Sequence, residues 1–543
     1  MTKRFHWFLI AFVVFACLPT IGQSALFDWD EVNFAECARE MIVTKDYFNV
    51  TINFQAFWEK PPLFIWMQAL SMLAFGINEF AARFPNVLAA VFTLLTLYRF
   101  GKQFYSEQMG LIWSSLYACS ILPFMYFNSG IIDPWFNLFI FNGIIQFYIG
   151  TQTKTHRNFV LAGCFIGLAI LTKGPVALIL IGGAFGIFFI IRRFKEFPSI
   201  WNLFLFLATT TFIGSLWFLL LIATGHQEII YEFIAYQVRL FETQDAGHGG
   251  PIYYHWLILL FGVFPASFFM LAYFRNKTIT RSNVDQIMHG MLWFTLVLFS
   301  IVKTKIVHYS SFCYFPITYF AAQFVLYQWQ NGFAITKKVH YFVLSFLLLL
   351  ALIFGALGYL VGHTSLILDY IHVNDPFAIE GMKEHYSWSF IQLIPFVLLV
   401  TTIVLLFNYL IKNKFKNYFI TLGTGIIISL VSINAFVVPK IEDITQGAAI
   451  DFYKRHQHED AYFTTLGFKS YAHLFYGNTR PGNEVTQDEK AIATGILSKP
   501  AYFVAKIQQK QEFMSIYPEL QLIGEKGGFV FFKRTTWIRC KGK

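Results

Sequence analysis

The chain has 543 residues, of which 56% are hydrophobic and 20% aromatic, with 66 phenylalanines and only 13% charged side chains. A water-soluble fold cannot hide that much apolar surface, so lipid must be the solvent for much of it. In such a chain the net charge of +10 is read loop by loop and does not indicate a nucleic-acid partner.

Lys3 and Arg4 precede an apolar stretch to about Ile21, which reads as a retained first span although Gly22, Ser24 and Ala25 resemble a cleavage site. Apolar runs of suitable length lie near 6–26, 80–104, 107–127, 133–150, 158–172, 175–191, 201–223, 253–274, 286–302, 309–328, 340–362, 388–411 and 417–438. About 13 crossings follow. One set of loops carries Lys154/Arg157, Arg192/Arg193/Lys195, Arg275/Lys277/Arg281, Lys337/Lys338 and Lys412/Lys414/Lys416, so the positive-inside rule makes it cytoplasmic, with the N-terminus. The other set, 28–79, 128–132, 224–252, 303–308, 363–387 and everything after 439, then lies outside. Residues 62–76 are apolar but too short to span, and a crossing there would invert every later loop. They are expected as an interfacial or re-entrant helix on the outer face.

Two domains follow: a membrane domain over 1–439, whose outer loop 28–79 carries juxtamembrane helices, and a small extracytoplasmic α/β domain over 440–543. In the latter, 461–464, 501–505 and 529–533 read as strands and 446–456 as a helix. Cys17, Cys119, Cys164 and Cys313 sit in apolar runs and no C-x-x-C spacing occurs, so neither a disulfide scaffold nor a zinc ribbon is expected. Gly163-x-x-x-Gly167 and Gly182/Gly183/Gly186 read as packing glycines.

The charged residues that remain cluster on the outer face. Asp30 and Glu31 open a short helix, where they can cap it or act on a substrate. Glu59-Lys60-Pro61-Pro62 holds a lysine suited to a phosphate beside a glutamate that can orient it or bind a metal. Asp133-Pro134 starts another helix at the same face. The glycine-rich loop 224–252 brings His226, Asp245 and His248, with His255 just beyond, where a histidine suits a metal or a proton. Lys303, Lys305, His308 and Tyr309 form an outer turn whose lysines break the positive-inside trend and call for a local anion.

The run Asp30-Glu31-Val32-Asn33-Phe34-Ala35-Glu36-Cys37-Ala38-Arg39-Glu40-Met41, followed by Glu59-Lys60-Pro61-Pro62, resembles the bacterial aminoarabinose transferases and their relatives in the protein O-mannosyltransferase superfamily. Arg83-Phe84-Pro85, Asp133-Pro134, Thr172-Lys173-Gly174-Pro175, His248-Gly249-Gly250-Pro251 and the Lys305–Tyr309 turn extend the likeness over nearly all of 1–330. The resemblance implies a polytopic α-helical GT-C glycosyltransferase in a bacterial inner membrane. It would take a polyprenyl-phosphate sugar and act, with inversion, on a lipid A, glycan or protein acceptor among membrane lipids. It assigns Asp30 and Asp133 to catalysis and Lys60 to the donor phosphate, with Lys303 and His308 in the same pocket. Glu31, Asn33, Glu59, Lys305 and Tyr309 would complete the substrate site. Glu59 and His248 would hold any divalent metal ion. Relatives often carry Arg at the position of Asn33, so the acceptor is the part left open. A transporter or flippase of lipid-linked sugars is the rival reading. It would place charges near the bilayer midplane and show internal repeats, and neither is evident.

Overall fold

The computed structural model describes residues 3–242, 249–279, 282–332, 337–370, 372–483 and 489–535. Glu79–Phe104, Asn283–Ile301, Lys337–Leu360, Phe390–Ile411 and the helical run Phe415–His456 are long and apolar enough to cross a membrane. Three further pairs meet the same test only together: Glu107–Cys119 with Ile121–Phe127, bent by 76°, Ile200–Gly214 with Leu216–Ala223, bent by 45°, and Tyr254–Gly262 with Ala266–Arg275, bent by 105°. Five crossings, or eight with the bent pairs, therefore stand among the described residues by length and composition, against about 13 expected apolar runs. Part of the difference is physical, since a run stays apolar through a bend and composition does not register it. Val176–Ile191 is apolar but only 16 residues long.

Helix ends follow from local chemistry. Asn78 accepts from the Ala81 amide to start Glu79–Phe104, and Ser106 accepts from Met109 to start the next helix. The expected outer-face helix is Leu63–Phe75, entered after Pro62 and stopped at Gly76, whose φ of 82° suits glycine. Its 13 residues reach about 20 Å, short of a roughly 30 Å hydrocarbon core. Phe64, Ile65, Ala69 and Met72 pack inward while Leu70 and Leu73 stay exposed, so one apolar face is left uncovered by the protein.

Beyond the membrane helices, the sheet is a mixed one in the order Tyr462–Leu466, Ala501–Lys506, Phe529–Arg534, Gln521–Lys526. The first two strands are parallel and the other pairings antiparallel. Gln521–Lys526 was not legible in the sequence, because as an edge strand it is largely exposed and lacks an apolar alternation. The expected domain boundary at 439/440 falls inside the Phe415–His456 run, where Pro439 occupies the first turn of a restarted helix and so breaks nothing. The α/β domain shares a core with the 28–79 segment: Val32, Ala35 and Met41 pack with Phe452, Phe463 and Leu474.

Packing glycines behave as read at Gly163, Gly167 and Gly183, a Cβ on the last running into the Phe294 ring. A Cβ on Gly163 would lie 2.6 Å from the Phe206 carbonyl oxygen, and one on Gly167 would lie 2.7 Å from Ile213 Cβ, so the His156–Lys173 and Ile200–Gly214 helices meet backbone to backbone. Gly182 and Gly186 have nothing within 4 Å. Gly163→Ala must therefore push two helices apart and is expected to cost about 1–3 kcal/mol, whereas Gly186→Ala is neutral or stabilising. Thermal unfolding of the two variants in detergent checks the contrast.

Candidate active site

Two short stretches of backbone aim the acids, and one helix turn holds both. Arg83 and Glu31 form a fully buried ion pair, Nε to Oε1 at 2.9 Å and Nη2 to Oε2 at 2.7 Å. Arg83 also donates to the carbonyls of Ile21, Ser24 and Ala25 at 2.7–2.9 Å. Glu31 accepts from the amides of Phe27, at 2.8 Å, and Gly130. One turn further along, the Asn86 amide donates to the carbonyls of Ser129 and Ile131 at 2.6 and 2.7 Å. The Arg83–Asn86 turn thus fixes the starts of both Asp30–Thr44 and Asp133–Thr153, whose first residues are the two candidate acids.

Eight expected residues, Asp30, Glu31, Asn33, Glu59, Lys60, Asp133, His308 and Tyr309, line one cavity of about 940 Å³. Much of the remaining wall is apolar, with Leu122, Met125, Ile132, Phe136, Leu180 and Phe312 among its residues. Lys60 lies 4.9 Å from the Tyr236 ring centre. Burial holds its ammonium below the usual lysine range, against the opposing pull of Glu59 and Asp30. His308 Nε2 is 3.8 Å from Asp30 Oδ2. Burial also lowers the His308 pKa, with Asp133 opposing, which keeps the imidazole neutral at neutral pH. Glu31, saturated by Arg83 and two amides, holds the framework. Asn33 is buried, with Cys37 Sγ 3.9 Å from its Oδ1.

The turn at 303–309 divides. His308 and Tyr309 face the cavity, but Lys303 and Lys305 are not in its wall. Lys303 is exposed. Lys305 donates to the carbonyls of Phe299, Ser300 and Val302 at 2.5–2.9 Å. Its charge is taken up by the C-terminal end of Asn283–Ile301, so the anion that it called for is a row of peptide carbonyls. His226 sits in an exposed pair with Glu228, and His255 is buried with Nδ1 3.0 Å from Ser310 Oγ. His248 and Asp245 lie outside the described residues. No three of His, Cys, Asp and Glu come together to hold a metal among the described residues, and of the expected pair only Glu59 is described, in the cavity wall.

Sequence reasoning gave no site role to Lys173, quoted only within Thr172-Lys173-Gly174-Pro175, nor to Tyr236, Arg239, Lys469 and Tyr471, all in the cavity wall. Lys173 Nζ is 2.6 Å from Asp133 Oδ1 and 5.4 Å from the Tyr309 ring centre. The same charge parity that placed Asp133 outside also places Lys173 there, in a two-residue turn between apolar runs. Lys469 and Tyr471 come from the outer domain and carried no local signal.

A bundle of apolar helices with a cavity at one end, and an α/β domain at its mouth, is the GT-C architecture. ArnT from Cupriavidus metallidurans bound to undecaprenyl phosphate superposes with a TM-score of 0.76 over 98% of both chains, at 14% identity. The family profile for dolichyl-phosphate-mannose-protein mannosyltransferase matches residues 59–228. An undecaprenyl phosphate-alpha-4-amino-4-deoxy-L-arabinose arabinosyl transferase of Wigglesworthia glossinidia brevipalpis is 25% identical over 332 residues, 59% of this chain and 58% of its own. The chain therefore spans less than two thirds of that relative. An uncharacterized protein of Aquifex aeolicus is 30% identical over 325 residues, 59% of this chain and 71% of its own. The chain belongs to the protein O-mannosyltransferase superfamily, among its aminoarabinose-transferase-like membrane proteins of GT-C fold.

Removing Arg83 strands a buried carboxylate. Arg83→Ala is expected to cost about 3–5 kcal/mol, and a large fall in the thermal midpoint of the purified protein checks it.

Proposed function

We propose that the chain is an integral-membrane glycosyltransferase that moves a sugar from a polyprenyl-phosphate donor to a lipid A acceptor at the outer face, inverting the anomeric centre. One observation carries the reading: two lysines, Lys60 and Lys173, stand among carboxylates in a cavity whose wall is otherwise largely apolar. A phosphate fits the lysines, and a polyprenyl tail fits the apolar wall. The arabinosyl transferase relatives, whose names specify an undecaprenyl-phosphate sugar, support the donor class.

In the proposed reaction the bond from the anomeric carbon to the phosphate oxygen breaks as the acceptor oxygen attacks from the opposite face. Charge grows on the leaving phosphate, where Lys60 and Lys173 stabilise it. Asp133 holds Lys173 in place through their ion pair, which favours a positioning part for Asp133. Asp30 is partly exposed, with His308 beside it, and takes the proton from a hydroxyl acceptor. A phosphate acceptor on lipid A is already anionic and needs no base. A glycan or protein hydroxyl is the second acceptor reading, and Asp30→Asn separates the two by abolishing transfer only there. The clustering of these charges in one outer-face cavity favours transfer over transport. The same orientation puts the N-terminus in the cytoplasm of a bacterial inner membrane and the α/β domain outside.

Transfer of radiolabelled sugar from polyprenyl phosphate in wild-type and Lys60→Ala membranes is the direct test. A fall of about 10²-fold is expected, and equal transfer would remove Lys60 from the site. Burial lowers the Lys60 pKa, so its charge is lost, as pH rises, below the ordinary lysine range. Donor kcat/KM is therefore expected to fall on the alkaline side below the ordinary lysine range, and Lys60→Arg shifts that fall upward. A divalent metal on Glu59 and His248 is a separate part of the proposal. Transfer that drops in EDTA and returns with added divalent ion supports it, and transfer indifferent to EDTA removes it.

A further inference from the structure

The outer domain does more than cover the membrane helices. Its loop 467–471 reaches the mouth of the cavity, where Lys469 and Tyr471 join the wall. The loop is braced on the two residues that precede Asp30. The Tyr471 amide points to Asp28 Oδ1 at 3.5 Å, the Ser470 side chain bonds Asp28, and the Tyr471 ring packs against Trp29 with centres 5.1 Å apart. Within the loop, the Thr465 hydroxyl donates to the Phe468 carbonyl at 2.7 Å and the Ala472 amide to Ser470 Oγ at 3.1 Å. Lys469 therefore rides on a fixed turn beside the candidate base.

The lysines of the cavity differ in their company. Lys173 is paired with Asp133, and Lys60 feels Glu59, Asp30 and Asp133. Lys469 is exposed and has no ion pair or hydrogen bond among the described residues. Its field is thus directed at whatever enters from the water side, while the paired lysines serve the apolar cavity.

We propose that Lys469 is an acceptor-binding residue, contacting a phosphate on the incoming acceptor while Lys60 and Lys173 hold the donor phosphate. The site would then be built from both domains, with the donor side in the membrane helices and the acceptor side completed by the α/β domain. This rests on the transferase reading above.

The test uses the full chain in vesicles of neutral lipid, so that lipid A supplies the anionic acceptor headgroup. Lys469→Gln is expected to raise the KM for bisphosphorylated lipid A about fivefold, with kcat and undecaprenyl phosphate affinity unchanged. Lys469→Arg restores the wild-type KM. With lipid A stripped of one phosphate, the gap between wild type and Lys469→Gln narrows. Equal acceptor KM in wild type and Lys469→Gln overturns the inference and leaves the transferase reading standing. Loss of undecaprenyl phosphate affinity in Lys469→Gln also overturns it, because the lysine then belongs to the donor side. Wild-type protein that binds undecaprenyl phosphate yet transfers nothing to lipid A overturns the acceptor reading and this inference with it.

Discussion

The Glu31–Arg83 pair is the constraint on which the site depends. Taking two charges out of water costs several kcal/mol per ion, and the attraction between them offsets that cost only when every remaining donor and acceptor is satisfied. Here Arg83 spends its other N–H groups on three carbonyls of the 21–25 segment, and Glu31 takes two amides. The knot joins the 21–25 segment, the Asp30–Thr44 helix, the Glu79–Phe104 helix and the 129–131 turn. Asp30 and Asp133 owe their shared cavity to it, although neither touches Arg83.

Around that knot the cavity separates two tasks by polarity. Carboxylates and lysines gather where loops meet helix starts, and much of the remaining wall is apolar. Lys173 shows how closely the two are joined: its ammonium is paired with Asp133, while aromatic faces from Phe136 and Tyr309 lie within about 5.6 Å of it.

Much of this was legible because two rules agree at the outer face. Charge parity put Asp30, Glu59, Lys60 and Asp133 on one side, and helix-start chemistry put both aspartates at first turns. The ion pair of Glu31 was not legible, since nothing local announces a partner 52 positions away. Lys305 looked like a phosphate ligand because an outer lysine breaks a statistical rule, yet the rule ignores helix C-termini that can absorb it. Bends at Ser120, Ser215 and 263–265 were invisible to hydropathy, which counts apolar residues without regard to direction. Lys469 and Tyr471 were beyond reach for a different reason. The bond of Tyr471 to Asp28 spans 443 positions, and it carries the neighbouring Lys469 to the cavity only when the α/β domain docks.

The helical run Phe415–His456 gives that docking a mechanical meaning. Its 42 residues amount to a rod of roughly 60 Å that begins in the membrane and ends inside the α/β domain. A domain mounted on such a strut, and latched at Leu26 by Gln446 and Tyr476, has little freedom to swing by itself. The last crossing and the 467–471 loop are thereby parts of one continuous mechanical connection.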